Sequence, residues 1–374
     1  MKAEGTGIAG FSVLFAFGAA AGIFLHGRCH FIYQTVCISF FLAAGLAACS
    51  ALMSSRTPEG TYGTGRRTAL LLLASFFFAG LYSASVYALG GSGGSGSGFL
   101  SRAAASCAGI LKDAIMEIPF RNQESGAMIL ALLTGDKSQL PAHISESFRI
   151  SGASHILALS GMHLGVIYII LARAFSVSGN SPAAVRIRSA MIIAVSGFYT
   201  LMTGAGASIV RAFLFISFNE TARCTHRKRV PMNIFCASLM AQAAMTPDEL
   251  GSPGFQLSYL AMAGIYLIYP PMQKWYAAPD GHRPGPLKKI WDTAAMSIAC
   301  QITTAPAVWY YFGTFPQYFL ITNMIAIPLS SAAINISILV LLARSAGICP
   351  DILVAADEFM ISAMCRSLEV ISTL

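Results

Sequence analysis

His155-Ile-Leu-Ala-Leu-Ser160-Gly161-Met162-His163-Leu-Gly-Val-Ile-Tyr-Ile-Ile-Leu-Ala172 sets two histidines and a serine into an otherwise apolar, membrane-grade run. Ionisable and hydrogen-bonding groups at bilayer depth are costly unless they face a water-filled path or one another, so this cluster reads as a functional site. Just upstream, the Gly135-Asp136-Lys137-Ser138 turn adds a carboxylate. The segment between them carries His143, Glu146 and Arg149, and the question becomes whether the rest of the chain belongs in a membrane.

Composition answers it. Hydrophobic residues make up 55% of the chain and charged residues 11%, far from the roughly 25% charged of a soluble domain. The expected fold class is all-α, a polytopic integral membrane protein. A span needs about 20 apolar residues, and runs of that grade lie near 8–25, 32–53, 68–89, 155–172, 189–203, 208–222, 231–247, 255–273, 290–308, 318–343 and 352–372, about eleven in all. Gly126 to Leu133 is too short to cross and reads as re-entrant or interfacial. Phe99 to Phe120 places Leu100, Ala104, Cys107, Leu111, Ala114 and Ile118 opposite Arg102, Lys112 and Asp113, the pattern of an amphipathic helix on the membrane surface.

Basic residues fall in alternate loops: Arg56, Arg66 and Arg67; Arg173, Arg186 and Arg188; Arg223, Arg227, Lys228 and Arg229; Lys274, Arg283, Lys288 and Lys289; then Arg344. The intervening loops at 204–207, 246–254 and 310–318 have no Lys or Arg. The positive-inside rule then predicts a multi-pass membrane protein with a cytoplasmic amino terminus and an extracytoplasmic carboxyl terminus, and topology explains most of the +8 net charge. Gly60 to Thr68 lacks the Lys of a phosphate-binding loop, so any motor is expected to be another protein. Nine dispersed cysteines without a Cys-x-x-Cys, and seven scattered histidines, predict no metal, cofactor or disulfide framework. Cys29 and Cys107 can both lie outside, where a bridge between them is conceivable but not expected.

Four ordered segments carry a resemblance. They are the Gly135 to His163 region, Thr203-Gly204-Ala-Gly206-Ala-Ser208-Ile-Val-Arg211-Ala212, Pro253-Gly-Phe255-Gln256-Leu-Ser258-Tyr259, and Gln301 to Pro306 followed by Asn323 and Pro328. Together they resemble the ComEC family of bacterial competence proteins, membrane channels that admit single-stranded DNA during natural transformation. Lys137 stands where Arg is common in that family, and Met162 and Leu164 where other aliphatics are usual.

The resemblance implies three parts: transmembrane helices 1 to 3 over 1–89, a Gly/Ser linker over 90–98, and a competence channel domain over 99–374. Gly90 to Gly98 reads as an engineered flexible coil. In the family a soluble OB-like domain stands at this place, which implies that the linker replaces it. Many members also carry a metallo-β-lactamase-like domain after the channel, and this chain is expected to lack it. The implied partners are single-stranded DNA, the lipid bilayer, a cytoplasmic helicase-like motor, DNA-binding proteins and an extracytoplasmic DNA receptor, with a homodimer conceivable. No enzymatic activity is expected of the channel itself.

The residues implied to line the DNA path are Asp136, His155, Ser160, Gly161, His163, Arg211, Gln256, Ser258, Gln301 and Asn323. Ser160 and His163, three apart, share a helix face, which leaves three roles open: interhelical hydrogen bonding, pore lining, or an intramembrane hydrolase pair. Arg211 cannot shed its charge and needs an anion, either Asp136 or a DNA phosphate. Gly204 and Gly206 suit a tight turn from which the following helix presents its amides to anions. The Trp309-Tyr310-Tyr311-Phe312 group suits base stacking or an interfacial aromatic belt. A small-solute permease is the remaining alternative to a DNA channel.

Overall fold

In a computed structural model, residues 3–26, 32–55, 62–89, 99–175, 181–225, 227–276, 285–348 and 351–373 are described. Gly90 to Gly98, Arg56, Arg283 and Cys29 lie outside them, and with them the linker and the bridge to Cys107. Every regular element among the described residues is helical: α1 (Ala3–His26), α2 (Ile32–Ser55), α3 (Tyr62–Leu89), α4 (Phe99–Met116), α5 (Gln123–Thr134), α6 (Ala142–Ile150), α7 (Ser154–Leu157), α8 (Gly161–Ala174), α9 (Pro182–Met202), α10 (Ala207–Cys224), α11 (Pro231–Met245), α12 (Pro253–Leu267), α13 (Tyr269–Gln273), α14 (Pro286–Phe312), α15 (Phe319–Ser345) and α16 (Asp351–Ser372). The apolar runs read from the sequence are helical, two of them divided between two helices, and α4 lies where the amphipathic segment was expected.

Among the described residues three helical stretches are long and apolar enough to cross a membrane, at Leu70–Ala88, Pro182–Met202 and Phe319–Ser345, and Gly10–Leu25 within α1, Ile38–Ser50 within α2 and Gly161–Ala174 are further apolar stretches. Four other helices fall short for physical reasons. α10 carries Arg211, Glu220 and Arg223, and α16 carries Asp351, Asp357, Glu358, Arg366 and Glu369. α11 and α12 have 15 residues each, about 22 Å of helix against a hydrocarbon core of about 30 Å. Two expected spans are also interrupted. The 155–172 run is split into α7 and α8 by extended backbone around Ala158 and Ser160. The 255–273 run is split at Ile268, just ahead of Pro270 and Pro271, which supply no amide to continue α12.

The chain divides into two compact units, one of Met1–Ser97 with Ser217–Gln256 and one of Gly98–Ile216 with Leu257–Leu374. In the first, α1 and α3 pack closely enough that a Cβ on Gly18 would collide with the Phe77 carbonyl and one on Gly80 with the Phe15 carbonyl. Small residues at such crossings let dispersion contacts form along two backbones where lipid gives no hydrophobic drive between helices.

The second unit is built around α5. Asn122 caps its start by accepting the Glu124 amide at 3.0 Å, and Gly135, at a φ of 76°, ends it in the left-handed conformation that glycine tolerates. Ser125 to Leu133 are all buried, so α5 is covered on every side, with Met128, Ile129 and Leu132 packed among Phe148, Ile334, Ile361 and Met364. Twelve residues give about 18 Å of helix. Burial within protein is the setting in which a segment too short to span is tolerated at membrane depth. Tyr199 of α9 donates its hydroxyl to the Leu133 carbonyl at 2.7 Å, satisfying one of the last acceptors of α5. Outward-facing apolar side chains, among them Ile187, Met191, Leu339 and Leu342, give the unit a surface suited to lipid rather than water.

Candidate functional site

The residues that begin α8 form a capping box. Ser160 has extended backbone, its Oγ accepts the Met162 amide at 3.3 Å, and the Ser160 amide donates to His163 Nδ1 at 3.1 Å. This is the Ser-x-x-Glu/Gln motif with an imidazole in the third position. The interhelical, pore-lining and hydrolase roles left the pair's first duty unseen: it satisfies the free amides at the start of one helix. Because Nδ1 is the acceptor, the ring is neutral with its proton on Nε2. That atom is buried and has no hydrogen-bond partner among the described residues.

Arg211 of α10 lies against the same helix start. A Cβ on Gly161 would stand 3.3 Å from Arg211 Nη2 and 3.5 Å from the Ala212 Cβ, so glycine there makes room for the guanidinium. Arg211 Nη1 donates to the Ser258 carbonyl of α12. The arginine enters α10 just after a turn in which Gly204 has a φ of 83° and Ala205 one of 50°, an unusual conformation for a residue with a Cβ. Its charged surroundings correct one expectation. Asp136 is not its partner: that carboxylate pairs with Lys112 of α4 at 2.6 Å and also accepts the Ser138 amide at 3.0 Å. The hydrogen bond from Lys112, reinforced by Ser138, holds the Asp136 carboxyl well below the usual carboxylate range. Among the described residues no Asp or Glu forms an ion pair with Arg211, and its electrostatic neighbours Tyr259, Tyr266 and Cys300 are groups that are neutral near pH 7.

The site therefore sets a guanidinium beside the amino-terminal end of α8, which carries the positive end of the helix dipole. Two positive features share one place, and the Ser258 carbonyl accepts a hydrogen bond from the guanidinium. Such an arrangement recruits an anion, and the planar fork of Arg suits the two oxygens of a phosphate.

The other residues expected on the path lie on several further elements. His155 is on α7 and its Nδ1 meets the Gly152 carbonyl at 3.2 Å. Gln256 belongs to the first unit, where it donates to the Leu250 carbonyl at 3.0 Å. Gln301 on α14 and Asn323 on α15 belong to the second unit, and each has a buried side-chain amide atom without a partner among the described residues, Nε2 and Oδ1 respectively. Lys112 and Tyr199 escaped the sequence reading. Lys112 was one more charge on the polar face of an amphipathic helix, and nothing local marks Tyr199. Among the described residues no cluster of His, Cys, Asp and Glu is suited to a metal ion.

The profile of the Competence protein family matches residues 132–374. The chain is 22% identical over 205 residues to ComE operon protein 3 of Bacillus subtilis (strain 168), covering 55% of this chain and 25% of that protein. It is 24% identical over 208 residues to the uncharacterized protein YcaI of Escherichia coli (strain K12), covering 54% of this chain and 27% of that one. The match spans about a quarter of the length of these curated relatives, and no solved structure matches. The family match takes in well over half of the residues, including the capped start of α8, Arg211 and Ser258, and the chain belongs to the Competence protein family.

Proposed function

We propose that this protein takes part in DNA uptake for competence as a channel that passes single-stranded DNA across the bacterial cytoplasmic membrane. The observation that carries the reading is Arg211, a charged group without a carboxylate partner, seated at the amino-terminal end of α8. An arginine in an apolar bundle marks an ion or substrate path by default, and a phosphodiester is the anion that a competence protein would meet in every translocated nucleotide. Contact through the backbone makes passage independent of sequence. Gln301, Asn323 and the Nε2 of His163 would then offer neutral polar contacts that do not trap a polyanion.

In this reading the chain crosses the membrane about eleven times with its amino terminus in the cytoplasm, and the helices below spanning length are completed by their packing against neighbours. Ser160 and His163 act as a helix cap beside the path, and the channel is not an enzyme. Energy comes from a cytoplasmic motor and from DNA-binding proteins that prevent backsliding.

Single-channel recording of the reconstituted protein tests the proposal, with single-stranded oligonucleotides of graded length added to the outer side. Blockades should lengthen with the oligonucleotide, become rarer in Arg211→Ala and recover in part in Arg211→Lys. Blockade frequency and duration unchanged in Arg211→Ala would overturn the placement of Arg211 on the path. Current indifferent to DNA in the folded wild type would overturn the channel.

A further inference from the structure

α15 and α16 pack along one another, with α5 and α6 against α16. On the buried face of α16, between Val354 and Ile361, stands Asp357, with no exposed surface. Its Oδ2 lies 2.7 Å from Ser337 Oγ of α15, and that same Oγ lies 2.8 Å from the Ala333 carbonyl. Asp357 Oδ1 is buried and has no partner among the described residues.

Counting hydrogens decides the state of this group. Ser337 has one hydroxyl hydrogen, and two short oxygen contacts compete for it. Shared between the two, that hydrogen makes only a weak three-centre bond; both contacts are full hydrogen bonds when a second hydrogen is present, and the carboxyl group is where it can sit. Asp357 then donates to Ser337, and Ser337 donates to Ala333. An ionised carboxylate would instead be left with a single shared donor in an apolar pocket, where a buried charge demands a partner.

The charged groups on the surrounding elements are engaged elsewhere. On α15, Arg344 pairs with Glu117 at 3.2 Å. On α5 and α6, His143 lies 3.7 Å from Glu124 and 3.9 Å from Glu369, and Arg149 holds Glu146 through two hydrogen bonds. On α16 itself, Glu358 accepts the Asn122 amide at 2.7 Å. Among the described residues no Lys, Arg or His, including Arg366, forms an ion pair with Asp357.

We propose that Asp357 is a proton-binding site between α15 and α16, occupied at neutral pH, whose emptying weakens the packing of that helix pair. The ligand is a proton, whatever solute the protein passes. A proton leaving Asp357 would strand a carboxylate against Val354, Ile361 and Val340, so the site ties the protonation state of one buried side chain to the closest helix pair of its unit.

Infrared difference spectroscopy on the reconstituted full chain tests this. At pH 7 the wild type should show the carbonyl band of a protonated carboxylic acid that is absent in Asp357→Asn. Ser337→Ala should shift that band by removing its hydrogen-bond partner, and raising the pH should bleach it while amide exchange in residues 330–340 quickens. Spectra of wild type and Asp357→Asn that superimpose in this region would overturn the proposal. Should the Asn variant fail to fold, Ser337→Ala still decides, because a band that it leaves unmoved belongs to another carboxyl group and the assignment falls. Bleaching without faster exchange would overturn the coupling to helix packing.

Discussion

Replacing Ser160 with Ala should release the start of α8 without disturbing its core. The serine hydroxyl satisfies the Met162 amide and lies 3.2 Å from His163 Nδ1, which accepts the reciprocal bond from the Ser160 amide, so each half of the cap has its own substitution although the two side chains touch. Loss of an N-cap hydroxyl costs about 1 kcal/mol, which is roughly a fivefold change in an opening equilibrium when 1.4 kcal/mol is tenfold. Hydrogen exchange followed by mass spectrometry or NMR on the protein in detergent or nanodiscs reads this locally. Ser160→Ala should lower protection of the Met162 amide about fivefold, and Ser160→Asp should restore it because a carboxylate caps as well as a hydroxyl. His163→Ala should instead expose the Ser160 amide, whereas His163→Gln should preserve it, since glutamine is the usual reciprocal partner of a capping box. Unchanged protection in Ser160→Ala, or equal loss in His163→Gln and His163→Ala, would refute the cap and return the pair to the roles that its sequence left open.

Two further outcomes follow from contacts around α5. Tyr199→Phe keeps the ring but leaves the buried Leu133 carbonyl without its donor, and should cost about 1–3 kcal/mol of stability in denaturant unfolding. A loss below about 0.5 kcal/mol would mean that water reaches that carbonyl. The Lys112 to Asp136 pair sets an acid limb: because the folded carboxyl is held below its unfolded value, its contribution is present above about pH 4 and fades as pH falls further. Wild-type thermal stability should thus decline more steeply below about pH 4 than that of Asp136→Asn, by an amount within the roughly 0.2–1 kcal/mol of a partly exposed pair, and parallel curves would show that the pair contributes nothing.

Most of the long helices were legible in the sequence because each carries its own apolar run, and hydropathy is a local property, whereas α6, with His143, Glu146 and Arg149, carries none. Their interruptions were partly legible too. Pro270 and Pro271 announce the break after α12, since a missing amide is written in the residue type. The break between α7 and α8 is less visible, because Ala158 and Leu159 are good helix formers and only Ser160, read as a cap, signals a new start. The buried position of α5 was not legible at all. Its Gly126 to Leu133 run is apolar on all faces, which fits an interfacial, re-entrant or core segment equally well, and only contacts distant in sequence, from Phe148, Ile334 and Met364, choose among them.

The candidate site shows the same division between residue type and partner. That Arg211 needs an anion follows from its fixed charge, whatever surrounds it. Which anion it has is a question of placement, and Asp136 was a reasonable guess until Lys112 proved to be its neighbour. The correction strengthens the functional reading, because an arginine already neutralised within the chain would have had nothing left to offer a phosphate. Asp357 carries the converse lesson. The rule that singled out Arg211, a charge inside an apolar helix, applies equally to an aspartate between Val354 and Ile361, yet α16 has charges enough to hide one that matters. What separates Asp357 from Glu358 beside it is a single helical step of about 100°, which turns one carboxylate toward the Asn122 amide and the other into the seam with Ser337. A lone charge in a span can be read from sequence; one charge among several on a helix is read only once the packed face is known.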